Sequence, residues 1–526
     1  MNAVIEPLDC RVHCLARMTV FYHLKMIYEY CKYQQLEPPW QGMESSQNTY
    51  CMKEGKRMYQ IDFKHPDAKL YFCGIGGSSM SGLAGMMKRF GFTVWGSDQV
   101  ESPHSWQAEK EGITVIIGQN KENITDDIDC VIFTAAISKE NPEYAAVEEK
   151  GIPHITRAEL LGQIMAQYPM SIAISGTHGK TTTTSFISEI LLRDGQDPSL
   201  QIGGVLNSMR TSYRIGETDR FVAEACEYTN SFLSLNPKIG IITNIEADHL
   251  DFFKDLDDIR HSFRRFAENI PADGWLIIDT EIPQVEEITD GLACHVIYFG
   301  DDHKKADYYA ENIRFNDAAH PSFTCVRKGK DSQEIELQLP GKQYVWDALA
   351  AIAACDLCGA SEQSIHDALQ AFKGTDRRFQ LKGIRNGIKI VDDYAHHPTE
   401  VEVTLDAAQH MPHHMIYACY QPHTYSRTKA LMDDIAKALH HADGVVLPPI
   451  CAARETDTLG ITSQDLADKV EALGTPCHVF PDFKTLEDWV LNNLEEDDII
   501  ITMGPGDVYQ IADDLAQYHY DFPEDE

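Results

Sequence analysis

The sequence predicts an α/β protein in three blocks, each made of βα units around a mostly parallel sheet. Two observations carry this prediction. From Lys69 onward, short apolar runs rich in β-formers alternate with longer amphipathic runs, the rhythm of strands joined by crossover helices. Polar clusters containing glycine, histidine and carboxylates then recur directly after those strands, where parallel sheets gather their functional loops.

Composition narrows the class. Of 526 residues, 45 are Lys or Arg and 81 are Asp or Glu, a net charge of −36. So acidic a chain repels phosphodiester backbones and anionic lipid, so neither nucleic acid nor membrane is expected as a partner. Small anions stay eligible, because local N–H groups and one lysine bind phosphate whatever the net charge. With 43% hydrophobic and 24% charged residues the chain is ordinary globular protein. No apolar run reaches the roughly 18 residues of a membrane span. MNAVIEPLDC lacks the basic-then-apolar order of a leader. Fourteen cysteines without paired spacing point to a reducing, cytoplasmic setting. The C-x-x-C pair Cys355 and Cys358 sits in ALAAIAACDLC and reads as buried helical thiols rather than metal ligands.

Taken in order, residues 1–57 precede the βα pattern, with one amphipathic segment around 16–36 and then a polar stretch. They are expected to be an extension upstream of a working start at Met58, which the intact mass of native protein would check. The first block, 58–168, has strands at 69–75 and 129–135 and ends near Tyr168-Pro169. The second, 169–380, has strands at 171–175, 220–225, 238–245 and 275–279 and ends near Arg377-Arg378-Phe379. The third, 381–526, has strands at 388–393, 414–420, 444–450 and 498–504.

The sharpest local pattern is Gly176-Thr177-His178-Gly179-Lys180-Thr181-Thr182 between a strand and a helical run. Its glycines let backbone N–H groups converge on phosphate oxygens, Lys180 neutralises them, and the Thr181 hydroxyl is placed for Mg²⁺. Glu224 and His249, each following a later strand, are the candidate further metal ligands. In the first block, Gly74-Ile75-Gly76-Gly77-Ser78-Ser79-Met80-Ser81-Gly82 with Asp98 downstream is an imperfect dinucleotide fingerprint that suits NAD, FAD or a UDP-sugar alike. In the last block, Asp392 to Thr399, Gln421 to Thr428 and Gly504 to Asp507 each end a strand, lining one rim of a sheet as a ligand site.

Together GTHGKTTTT, EACE, TNIEADHLD, RRFQ, DDYAHHPTE, QPHTYSRT and MGPGD, in this order, resemble the Mur ligases, and the resemblance runs from about Met58 to about residue 515. It implies a Rossmann-like N-terminal domain for a UDP-sugar, a central P-loop-type ATPase domain and a Rossmann-like C-terminal domain that closes over ATP and an amino acid. The implied reaction is ATP-dependent ligation of L-alanine to the carboxylate of UDP-N-acetylmuramate, for peptidoglycan precursors, with Mg²⁺ or Mn²⁺ as metal. Thr181, Glu224 and His249 would hold the metal. Gly176 to Thr182, Asn244, Arg378 and Asp393 would meet ATP. Gly76, Ser81, Asp98, Arg157, Tyr394, His396 and Arg427 would meet the substrates, with Lys180, Glu224, His249, His396 and Arg427 catalytic.

Departures from the family pattern are Thr424, where arginine is frequent, Ser79 in place of a frequent glycine, and Gln343, Tyr344 and Asp347 in a motif that usually carries His-Asn and a later Asn near the adenine. Alternatives are a muramoyl-tripeptide recycling ligase, a ligase for glycine, serine or a peptide, a non-catalytic nucleotide switch, and a nicotinamide oxidoreductase. A monomer and a homodimer are both compatible with the sequence.

Overall fold

The computed structural model describes residues 49–53, 56–250, 252–453 and 455–518. The amphipathic segment expected at 16–36 lies outside them. Thr49–Lys53 and Lys56–Gln60 form an antiparallel ladder, in which Met58 pairs with Cys51, and belong to a unit separate from the rest of the described chain.

From Ile61 onward three sheets follow one another. The first is all parallel, in the order Thr114–Ile117, Thr93–Asp98, Lys69–Cys73, Cys130–Phe133, His154–Thr156. Strand order reverses beside Lys69–Cys73, so its carboxyl end opens on a crevice between helices of the two faces. Local chemistry sets the helix starts. Ser102 forms a capping box with Ser105 ahead of Pro103, Asn141 caps ahead of Pro142, and Thr156 boxes with Glu159.

The second sheet has ten strands: Thr211–Arg214, Ser199–Leu206, Arg220–Glu224, Met170–Ser175, Ile239–Ile242, Trp275–Asp279, His295–Phe299, Tyr308–Phe315, Pro321–Arg327 and Gln333–Glu336. Its centre is parallel and both faces are covered, which is why the central strands are continuous apolar runs. The helix Gln343–Leu357, apolar nearly all round, packs against the helix Lys180–Arg193 and the sheet. It carries Cys355, with Cys358 at its C-cap, and both thiols are buried and free as expected. The last three strands are an antiparallel extension that the parallel pattern did not anticipate. Arg327, fully buried, holds it down through Glu362 at 2.7 Å and Asp356 at 3.6 Å.

The third sheet runs Gln380–Arg385, Ile388–Asp393, Ile499–Met503, Ile416–Tyr420, Gly444–Leu447, Cys477–Val479, parallel except for its first strand. The expected three-domain α/β architecture with parallel sheets is therefore present. Each strand named from the sequence exists, with ends shifted by at most three residues. The first domain sits on the second through the helix Ser78–Arg89, which packs on Ser199–Leu206 and Thr211–Arg214. Gly85 permits this approach, since a Cβ there would stand 2.1 Å from the Tyr213 hydroxyl. Among the described residues no helix is long and apolar enough to cross a membrane.

Candidate active site

The glycine-rich turn between Met170–Ser175 and Lys180–Arg193 is shaped mainly by the segment after Ile239–Ile242. Asn244 Oδ1 accepts from the His178 amide at 2.8 Å, its Nδ2 donates to the His178 carbonyl at 3.1 Å, and the Thr243 hydroxyl donates to that carbonyl at 2.5 Å. The Glu246 amide donates to the Thr177 hydroxyl at 2.9 Å. Asn244, expected at the nucleotide, is thus occupied in bracing the loop. Gly179 begins the helix at φ +80°, and a Cβ on it would lie 2.3 Å from Asp347 Oδ1. Asp347, one of the departures, is buried against this loop and bonds the Thr183 hydroxyl at 3.3 Å. Burial pushes its carboxyl up to about 7.

Lys180 Nζ donates to the carbonyls of Gly176 at 2.5 Å and Thr177 at 3.0 Å, and pairs with Glu227 at 3.1 Å. Burial works against its charge, and Glu227 together with Glu224 and the other groups around it outweighs that, so Lys180 stays cationic. Thr181 accepts from Arg378 Nη2 at 3.2 Å. Glu224 accepts from the Gly203 amide at 2.6 Å. His249, at φ +53°, has Nε2 3.7 Å from Glu227 and rests on the Tyr228 ring at 4.6 Å. Burial lowers its pKa, which leaves a neutral imidazole with a lone pair to give.

These groups face one cleft of 1290 Å³ to which all three domains contribute. Ser81 enters from the first; Thr177, Lys180, Thr181, Glu224 and His249 from the second; Arg378, at the junction; Tyr394 and His396 from the third. Arg427 borders a smaller cavity of 100 Å³ that shares Asp248 and His249 with the cleft. Its Nη2 reaches Asp248 at 2.5 Å and His249 Nδ1 at 3.5 Å. Burial raises the pKa of Asp248, but Arg427, with His249 and His396, outweighs it and holds the carboxyl well below the usual range. Thr424 caps the helix Tyr425–Leu439, accepting from the Arg427 amide at 3.4 Å.

Two adjacent arginines at the junction serve different domains. Arg377, at φ +62°, donates to Gly504 at 2.5 Å, Gly506 at 3.3 Å and Asp392 at 3.1 Å, its guanidinium between the rings of Tyr394 and Tyr509. Arg378 instead reaches Thr181 in the central domain while its guanidinium lies over Tyr394 at 5.2 Å. Asp393, expected near the ATP ribose, is buried. It accepts from the Phe379 amide at 3.0 Å and the Ala395 amide at 2.8 Å, and burial raises it to about 6, so it fixes the backbone of the junction. His396 Nδ1 lies 3.1 Å from Glu400.

The expected sugar-nucleotide residues are more dispersed. The Gly76 amide donates to Asp98 at 2.8 Å, so these two stabilise the glycine loop against each other. Arg157 donates to the Ser79 hydroxyl at 2.9 Å, holding that loop from the side. Among the four, only Ser81 lines the large cleft.

Sequence reasoning did not assign Glu227, Glu246, Asp248, Arg377, His397 or Glu400. His178 shows why they matter: its Nδ1 is 3.1 Å from Glu400, its Nε2 is 3.5 Å from Glu246, and its ring centroid is 4.7 Å from that of His397. Burial lowers the His178 pKa, but the two carboxylates outweigh this and raise it to about 9. The usable signal was the density of carboxylates in EACE and NIEADH, each within four residues of an assigned ligand.

Comparison with known proteins gives the family of the chain. Family models match in order along the chain: Mur ligase family, catalytic domain, at 69–169; Mur ligase middle domain, at 174–355; and Mur ligase, glutamate ligase domain, at 377–506. The UDP-N-acetylmuramate–L-alanine ligase of Agathobacter rectalis is 52% identical over 460 residues, 88% of this chain and 100% of that protein. That of Acetivibrio thermocellus is 45% identical over 451 residues, 86% of this chain and 95% of that protein. Among solved structures, the UDP-N-acetylmuramate–alanine ligase of Thermotoga maritima superposes with a TM-score of 0.73 at 27% identity, covering 85% of this chain and 98% of its own. The murein peptide ligase of Psychrobacter arcticus does so at 0.67 and 25%, covering 86% and 98%. Matched by these models and by relatives over 95–100% of their length, the chain belongs to the Mur ligase family of ATP-dependent ligases.

Proposed function

We propose that the chain joins L-alanine to the carboxylate of UDP-N-acetylmuramate through an acyl phosphate, giving UDP-N-acetylmuramoyl-L-alanine, ADP and phosphate in the cytoplasm. The observation that carries this reading is the cleft to which the three domains contribute and whose lining includes Lys180, Arg378, Glu224, His249 and His396. The domains are assigned as 58–168 for the UDP-sugar, 169–380 for ATP and 381–526 for closure over ATP and alanine. The all-parallel first sheet, with its glycine loop at the point of strand-order reversal, supports a Rossmann-like reading of that domain. Lys180 at the strand-to-helix turn supports a P-loop-type reading of the second.

A carboxylate is a poor acyl donor. Its oxygen attacks the γ-phosphorus of ATP, the bond to the bridging oxygen breaks, and ADP leaves an acyl phosphate. The alanine amine then attacks the acyl carbon, sheds a proton, and phosphate departs. Positioning and charge neutralisation carry the rate in such chemistry. Lys180 faces the phosphoryl group, Arg378 meets it from the junction, and Tyr394, His396 and Arg427 border the amine and the acyl phosphate. The hydroxyl of Thr181, the carboxylate of Glu224 and the neutral imidazole of His249 are a donor set that fits Mg²⁺ or Mn²⁺. When bound, such an ion neutralises phosphoryl oxygens.

The test is phosphate release from ATP and Mg²⁺ with UDP-N-acetylmuramate, comparing no amine, L-alanine, glycine, L-serine and a muramyl-type tripeptide. Dependence on both the sugar nucleotide and L-alanine, with a product heavier by one alanyl residue, is expected; turnover only with the tripeptide would replace this reading by the recycling ligase. His249→Ala is expected to shift the Mg²⁺ titration of activity to at least tenfold higher concentration. An unchanged titration removes His249 from the ligand set.

A further inference from the structure

We propose that His178, Glu246 and His397 form a second metal site, for a divalent transition-metal ion of the zinc class, that ties the phosphate loop to the C-terminal domain. Each residue offers one ligand atom, and the three atoms lie within 4.8 Å of one another. Glu246 Oε2 is 3.5 Å from His178 Nε2 and 3.7 Å from His397 Nδ1. Bonds of about 2.0–2.2 Å in a tetrahedron hold neighbouring ligand atoms roughly 3.4 Å apart, so these two edges need only tenths of an ångström of adjustment.

The surroundings are built for ligation. The side chains of His178 and His397 are 13% and 8% exposed, and His178, held protonated in the metal-free protein by Glu400 and Glu246, releases that proton to solvent when an ion takes its Nε2. Glu400 stands 3.1 Å behind His178 at Nδ1, the place of the carboxylate that orients a metal-bound imidazole. His397 Nε2 lies 3.3 Å from the Ala247 carbonyl, which keeps the proton there and leaves the Nδ1 lone pair towards Glu246. The competing bond at Nδ1, from the Thr399 amide, is long at 3.4 Å. Two imidazoles and one carboxylate favour zinc, cobalt or nickel over magnesium, which separates this site in kind from Thr181, Glu224 and His249.

Three segments meet here: the phosphate loop, the loop after Ile239–Ile242, and the N-cap of the helix Pro398–Gln409. An ion on all three holds the C-terminal domain against the loop. On the ligase reading this makes zinc an inhibitor in the presence of saturating Mg²⁺; the binding itself is independent of that reading.

The test is calorimetric titration of ZnCl₂ into the full chain in excess Mg²⁺, with the visible absorption of bound Co²⁺ as a second readout. Variants are Glu246→Gln and His397→Ser, the serine preserving the helix cap, then Glu400→Gln, and His249→Ala as the control for the other site. Expected are one saturable equivalent in the wild type and in His249→Ala, at least ~100-fold weaker binding in Glu246→Gln and His397→Ser, and ~10–100-fold weaker binding in Glu400→Gln. Metal-free thermal melts check that the variants are folded. Undiminished zinc affinity in both ligand variants, no saturable equivalent in the wild type, or its loss in His249→Ala overturns the proposal.

Discussion

Lys180→Ala is expected to lower kcat about 10³-fold while the protein still folds, because one preorganised donor on a transferring charge is worth 10²–10³ and this one carries a full charge. The same substitution strands Glu227, whose side chain is 4% exposed and whose cation is Lys180 at 3.1 Å. Removing one partner of a buried pair costs about 3 kcal/mol. The double variant Lys180→Met with Glu227→Gln separates the two effects, since it should recover the melting temperature and none of the turnover. Phosphate release and thermal melts measure both. Activity within tenfold of wild type in either variant removes Lys180 from the reaction.

Arg427→Gln is expected to cut kcat/KM for the amine about 10²-fold and to change how stability depends on pH. In the wild type the depressed pKa of Asp248 contributes stability that is fully present above its unfolded value of about 3.9 and is lost as pH falls towards the folded value. Without the guanidinium, the strongest of the groups that depress it is gone and the Asp248 pKa rises towards the unfolded value, so most of that contribution is lost. The stability gap between variant and wild type should therefore be widest at neutral pH, about 3 kcal/mol, and narrow progressively as pH falls below about 4. Urea unfolding at a series of pH values measures it, and a gap independent of pH would mean that Asp248 is not what Arg427 compensates.

Legibility in the sequence followed the range of the interaction. The phosphate loop, the strand-end clusters and the buried strands were readable because each is a local pattern of spacing and polarity. The partners that complete the site were not. Arg427 meets Asp248 across 179 residues, and His178 meets Glu400 from a different domain; neither pairing leaves a trace in either segment alone. Asn244 and Asp393 were singled out by position within motifs, whereas backbone amides claim their side chains. The antiparallel extension went unseen because Tyr308–Phe315 mixes apolar with charged residues and is largely uncovered along its second half, while Gln333–Glu336 is short and polar. Its anchor, Arg327, looks like any surface charge until the fold encloses it.

The paired arginines at the junction act as a mechanical linkage. Arg377 is bolted to the C-terminal domain by Asp392, Gly504 and Gly506, and one peptide bond away Arg378 is engaged with Thr181. With so short a connecting rod, a swing of the C-terminal domain pulls directly on the bond from Arg378 to Thr181. Any outward swing of the C-terminal domain is thereby coupled to the seat of Arg378 on the phosphate-loop helix, so the position of one domain is written into the contacts of the other.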